Sequence, residues 1–158
     1  MERARPAQRT DGERLGQLCR EALDSLQHAR GGALFARREV RVVSTALLRP
    51  GGLDRLLADA RRRVVAGVLE GSVVGLALGR VDQVGGAALG VVDGLYVAPG
   101  ARRAGVGRAL LEDLRAWFAA EGCGGVDVPA LPGDRATKNL LEGAGFKARL
   151  LTMHRLLP

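Results

Sequence analysis

Cysteine, histidine, lysine and aromatic residues are all scarce in this chain. The two cysteines, Cys19 and Cys123, lie far apart and have no partners at metal-ligand spacing. No metal site and no disulfide framework is expected, and a cytoplasmic protein with two free thiols is the simplest reading. The two histidines, His28 and His154, are isolated, which argues against a zinc site or a histidine-based triad. No apolar run approaches the ~20 residues of a membrane span. Glu2, Arg3 and Arg5 have no apolar stretch behind them, so the start does not read as a signal peptide. With only Phe35, Tyr96, Trp117, Phe118 and Phe146 as aromatics, the core must be built from small aliphatic side chains.

What is present points to a folded chain. Apolar residues make up 47% of 158, too many for disorder, and the length suits one domain over residues 1–158. Twenty-four Lys+Arg against seventeen Asp+Glu give a charge of +7. Only Lys138 and Lys147 are lysines, so the arginines reflect a general bias and their number alone says little. The charge favours an anionic partner: a nucleic acid, a phosphate-bearing cofactor or an acidic surface.

The patterning predicts a strand at 3–7 and a capping box from Thr10 to Glu13. A helix follows to about His28, with Leu15, Leu18, Cys19, Ala22, Leu23 and Leu26 on one stripe. Residues 36–48 and 53–60 carry weaker helical patterns, separated by Pro50-Gly51-Gly52. From residue 63 the period changes to that of strands. Stretches 64–69, 73–81 and 87–98, joined by short turns, predict an antiparallel meander. Along the last of them, alternation puts Val91, Asp93, Leu95 and Val97 on one face and Val92, Gly94, Tyr96 and Ala98 on the other. A long helix starts after Gly105 and ends near Gly122. A strand is expected at 126–131, where Pro129 cannot donate to a ladder. Asp134 should cap a further helix. Residues 146–157 are expected to form a strand or a short hairpin. The order predicts an α+β (mixed α/β) domain.

Residues 102–108 join a strand to a helix through two glycines. A helix start exposes unpaired N–H groups and the positive end of its dipole. Gly105 and Gly107 would let a ligand approach that backbone closely. Arg102, Arg103 and Arg108 crowd a first turn that ordinarily favours acids, at about 0.3–1 kcal/mol each. A bound pyrophosphate would resolve the conflict. The alternative is a glycine-rich turn before a solvated basic helix end.

Arg102-x-x-Gly105-x-Gly107 resembles the Arg/Gln-x-x-Gly-x-Gly/Ala signature of the GNAT superfamily of acyl-CoA-dependent N-acyltransferases. Leu95-Tyr96-Val97-Ala98-Pro99 stands before it as the family's fourth strand does, and residues 134–146 resemble its second block. The resemblance implies a mixed, mostly antiparallel central sheet with a splayed strand pair, flanked by about four helices. It implies acetyl-CoA as cosubstrate, with the backbone of Leu95, Tyr96 and Val97 on the pantetheine arm. It places the pyrophosphate on Arg102, Arg103, Ala104, Gly105, Val106, Gly107 and Arg108, with Asp134 and Lys138 close by. An amine would attack the acetyl group directly in a ternary complex.

Asp93 sits where family members often carry an acidic residue; it is either the general base or a solvated or salt-bridged strand carboxylate. Asp82 and Asp127 are weaker candidates. Leu141 takes the position where many members have a tyrosine that protonates the departing thiolate. Water, Tyr96 or Cys123 are the substitutes. Phe35 is placed by position near the acceptor pocket. The expected partners are acetyl-CoA and an amine, on a small molecule or a protein, with no membrane partner; pairing of two copies is left open. A non-catalytic acyl-CoA-binding domain is the alternative. A dinucleotide fingerprint is disfavoured because Leu110 replaces its third glycine. Nucleic acid is disfavoured because basic residues are spread along the chain without interleaved aromatics.

Overall fold

The computed structural model describes residues 1–40 and 46–158. Strand β1 (Glu2–Pro6) leads through a short 3-10 turn into helix α1 (Gly12–Gln27). Helices α2 (Gly32–Arg38) and α3 (Gly52–Ala58) follow. The meander is β2 (Arg62–Leu69), β3 (Ser72–Val84) and β4 (Ala87–Val97). Helix α4 (Val106–Ala120), strand β5 (Val126–Asp127) and helix α5 (Arg135–Gly143) complete the elements. The helical pattern read at 36–48 falls partly on residues 41–45, outside the described residues.

The sheet order is β1-β2-β3-β4-β5. The first four strands are antiparallel, and β4 pairs with β5 in parallel through only Gly90–Val126 and Val91–Asp127. Two apolar layers cover the sheet. On one face Leu15 and Leu18 of α1 pack on Val64, Ala66, Leu76 and Leu78. On the other, Leu110, Leu114 and Phe118 of α4 pack on Val65, Ala77 and Val92. Burying these side chains is the main drive to fold, at roughly 25 cal/mol per Å² of apolar surface.

Glycines on the sheet let α4 lie close. A Cβ at Gly90 would sit 2.6 Å from the Phe118 ring, and one at Gly67 2.6 Å from Val106. With so few aromatics available, one buried phenylalanine pressed onto bare backbone fills the space that larger pairs fill elsewhere.

Four sequence expectations change. The cap before α1 is not the Thr10–Glu13 box. The box forms instead on the preceding 3-10 turn between Gln8 and Asp11, whose carboxylate accepts from the Gln8 N–H at 2.7 Å and from both arms of Arg5 at 2.7 and 2.9 Å. Asp11 stands at the N-cap of α1, but its side chain makes no bond to that helix. A partly buried guanidinium offers a stronger pair than a neutral cap. The strand expected at 126–131 stops at Asp127, because the chain then parts from β4. Residues 146–157 form neither strand nor hairpin. They run as exposed coil, with His154 and the apolar Leu150, Leu151, Met153, Leu156 and Leu157 outward. The edge open to them is β5, which is only Val126–Asp127 long and offers too short a ladder to pair with.

The fourth change matters most for the site. Leu78 pairs with Gly94 while Gly79 pairs with Val92, so Asp93 is an extra residue in β4, a bulge. Beyond it the alternation flips. Leu95 and Val97 pack on the α4 side with Val92, and Tyr96 packs on the α1 side. Asp93 therefore does not share a face with Leu95 and Val97.

Candidate active site

β4 and the chain after β5 separate beyond Val91 and Asp127, and a cleft of about 830 Å³ opens between them. Asp93 to Val97 form one wall and Val128 to Leu131 the other. Pro129 lies in that second wall, where its missing N–H leaves no gap in a ladder. The upper part of the α1 stripe, Ala22, Leu23 and Leu26, lines the cleft, Leu23 while also packing on the core, and Phe35 of α2 lines it too.

One end of the cleft reaches the start of α4. Gly105 is the N-cap, left-handed at φ 83°, and no side chain caps the helix. Its first turn carries no acid. Arg103 also takes a left-handed φ, 64°, which a side chain with a β-carbon adopts at a cost. Arg102 is held in place: its Nε donates to the Val97 carbonyl at 3.0 Å and its guanidinium lies 5.8 Å from the Tyr96 ring centre. By contrast, α5 has a side-chain cap, with Asp134 accepting from the Thr137 N–H at 3.0 Å and from its hydroxyl at 2.6 Å. Of these two helix starts, the arginine-rich one is the one without a side-chain cap, which fits an incoming diphosphate.

The structure brings together most of the residues singled out from the sequence. Asp93, Leu95, Tyr96, Val97, Arg102, Arg103, Gly105, Gly107, Arg108 and Asp134 all line this cleft. Ala104 and Val106 do not, and Val106 is buried under the sheet. Lys138 lies outside it and faces Glu142 at 3.6 Å.

Asp93 is 2% exposed and is clamped by two arginines, Arg80 and Arg62, the latter at 3.4 Å. Arg80 also holds Asp82 through two contacts at 2.9 and 3.1 Å. The sequence did not reveal this cluster, because Arg62 and Arg80 meet only through the β2–β3 register. Asp127 is taken by Arg149, whose hydrogen bond holds its carboxyl below the usual range.

Burial raises the Tyr96 hydroxyl above its ordinary pKa. The charge of Glu21 adds to this and that of Arg102 opposes it. Burial pushes Cys19 up to about 11, an inert thiol. Cys123 is also raised, by burial and then by Glu121, and it lies away from the cleft against the α4 layer. Leu141 is buried and faces away from the cleft, which its neighbour Leu140 lines.

A cleft between splayed strands that ends on a glycine-rich, uncapped helix start defines an acyl-CoA-binding fold. The model of the acetyltransferase (GNAT) family matches residues 34–146, and the chain belongs to that family. It is an enzyme of the N-acyltransferase kind, with acetyl-CoA as its cosubstrate. No curated protein matches the chain. Solved structures share the fold at low identity. Aminoglycoside N-acetyltransferase AAC(6')-Iy in complex with CoA is 18% identical with a TM-score of 0.72, covering 98% of this chain and 95% of that one. An aminoglycoside acetyltransferase from an uncultured soil metagenomic sample, in complex with sisomicin, is 18% identical at TM-score 0.69, covering 99% and 97%. The BH1408 protein from Bacillus halodurans is 14% identical at TM-score 0.77, covering 98% and 99%. No helix among the described residues is long and apolar enough to cross a membrane.

Proposed function

We propose that this protein moves an acetyl group from acetyl-CoA to a primary amine by direct attack within the cleft. The observation that carries the reading is the α4 start: no side-chain cap, a left-handed Gly105 and three arginines at the end of a gap between parted strands. The diphosphate takes the amides of residues 103–107 together with the Arg102, Arg103 and Arg108 side chains, the Arg102 amide being held by the Pro99 carbonyl at 3.3 Å. The pantetheine arm then lies along the Leu95 to Val97 backbone, with the thioester nearer Asp93.

The amine nitrogen attacks the thioester carbon. The C–S bond breaks, the thiolate takes a proton from a side chain, and the nitrogen gives up its surplus proton to solvent, which reprotonates that donor. Tyr96 is the donor we assign, since it lines the cleft and burial keeps its hydroxyl protonated, whereas Leu141 points away and Cys123 is remote. The acceptor amine arrives as an ammonium. Apolar walls and arginines disfavour that cation, so it sheds its proton to solvent before attack. Of the two readings left open for Asp93, its ion pairs favour the salt-bridged carboxylate: it holds Arg62 and Arg80 together and fixes the β4 bulge.

Two variants test this. Gly105→Glu puts bulk where a Cβ already comes within 3.0 Å of Glu2, and charge where the phosphates bind. Calorimetry should show CoA affinity falling at least tenfold; unchanged affinity overturns the loop assignment. Tyr96→Phe should lower kcat roughly 10- to 100-fold, the scale of a lost general acid, while leaving CoA affinity intact. An unchanged kcat removes Tyr96 as the donor.

A further inference from the structure

The charge around the acceptor side of the cleft is unlike what a polycationic substrate needs. Two carboxylates line the cleft, Asp93 and Asp134. Asp93 is matched by Arg62 and Arg80, and Asp134 is committed to the backbone and hydroxyl of Thr137. Glu21, close enough to Tyr96 to raise its pKa, faces Arg14 at 3.5 Å. Residues 41–45, outside the described set, contain no acid in their sequence. Of the two lining carboxylates, only Asp134 keeps a charge that no arginine or lysine among the described residues matches, so a second or third ammonium would find at most that one carboxylate. With Arg102, Arg103 and Arg108 taken by the diphosphate, Arg30 is the remaining cation in the lining among the described residues.

The wall facing β4 is apolar. Ala22, Leu23 and Leu26 turn one flank of α1 toward the gap, and Phe35 and Leu131 continue it. The α1–α2 turn reaches across to the second wall, since a Cβ at Gly31 would lie 3.8 Å from Leu131. A polycation entering here would leave most of its extra charges desolvated against leucines, which is costly without partners. An apolar body would instead cover surface that water must otherwise wet.

We infer that the acceptor is an apolar monoamine, a single primary amine on a hydrocarbon or aromatic body, and that Leu23, Leu26 and Phe35 select it. This rests on the acetyl-transfer reading and narrows its acceptor. It also separates this chain from the aminoglycoside acetyltransferases that share its fold, because an apolar lining with one unmatched carboxylate favours a single amine over polyamines and aminoglycosides.

The test is release of free thiol from acetyl-CoA by the full chain, with four amines: 2-phenylethylamine, isoamylamine, spermidine and kanamycin. CoA affinity is measured beside it by calorimetry. We expect kcat/KM for one of the two apolar amines to exceed that for both polycations at least tenfold. In Phe35→Ala the KM for that amine should rise about fivefold or more, with CoA affinity unchanged. In Leu26→Asp the preference should shift toward spermidine. Equal or better turnover of either polycation overturns the inference. So does tight CoA binding with no turnover of either apolar amine, or a Phe35→Ala KM that does not move. Loss of CoA binding itself would strike the acetyl-transfer reading, and this inference falls with it.

Discussion

At the scale of single residues, Asp11 and Asp93 show two ways in which arginine uses a carboxylate. Asp11 is 7% exposed and accepts from Arg5 twice and from the Gln8 N–H. The Arg5 hydrogen bonds, chiefly, lower its pKa, and burial only partly opposes them. A depressed folded-state pKa contributes stability above the unfolded value, about 3.9, and loses it as pH falls through the folded value. Thermal melts from pH 7 to pH 2 should therefore show Asp11→Asn less stable than the parent at neutral pH, by about 1.5–3 kcal/mol for charged hydrogen bonds. The gap should close below about pH 4. A gap that is constant down to pH 2 contradicts the assignment. Asp93 was legible as a candidate by its place before the glycine-rich loop. Its neighbours were not, because Arg62 and Arg80 are 31 and 13 positions away and converge only once three strands are in register.

At the scale of elements, the sequence signals were strong where local chemistry decides and weak where a neighbour does. The α1 stripe, the three-strand meander and the Asp134 cap were all readable, since periodicity and capping are properties of a few adjacent residues. The β4 bulge was not, and one extra residue reversed the faces assigned to Leu95, Tyr96 and Val97. The stretch 146–157 alternates like a strand, yet the β5 edge is too short to pair with. The sheet also depends on bare backbone beneath α4. Gly90→Ala sets a Cβ 2.6 Å from Phe118, and overpacking of this kind costs about 1–3 kcal/mol. Trimming the ring should relieve it: Gly90→Ala combined with Phe118→Leu should lose less stability in denaturant titrations than the sum of the two single changes. Strict additivity would show that Phe118 does not press on Gly90.

For the whole molecule, the +7 charge resolves into two parts. Many arginines are spent in pairs with acids spread over the surface, such as Arg63 with Asp113 at 2.9 Å and Arg115 with Glu112 at 2.7 Å. The arginines of the α4 start have no such partner among the described residues and all border the cleft. The sequence by itself determined α1, the meander, the long α4 and the family resemblance, and it marked the glycine–arginine loop proposed to take the diphosphate, because glycine, arginine and helix polarity act within a short span of chain. Only the tertiary structure decided what lies opposite β4, which flank of α1 is cleft and which is core, and which acids are already neutralised. Those depend on strand register and on the parting of two strands, which link residues far apart along the chain.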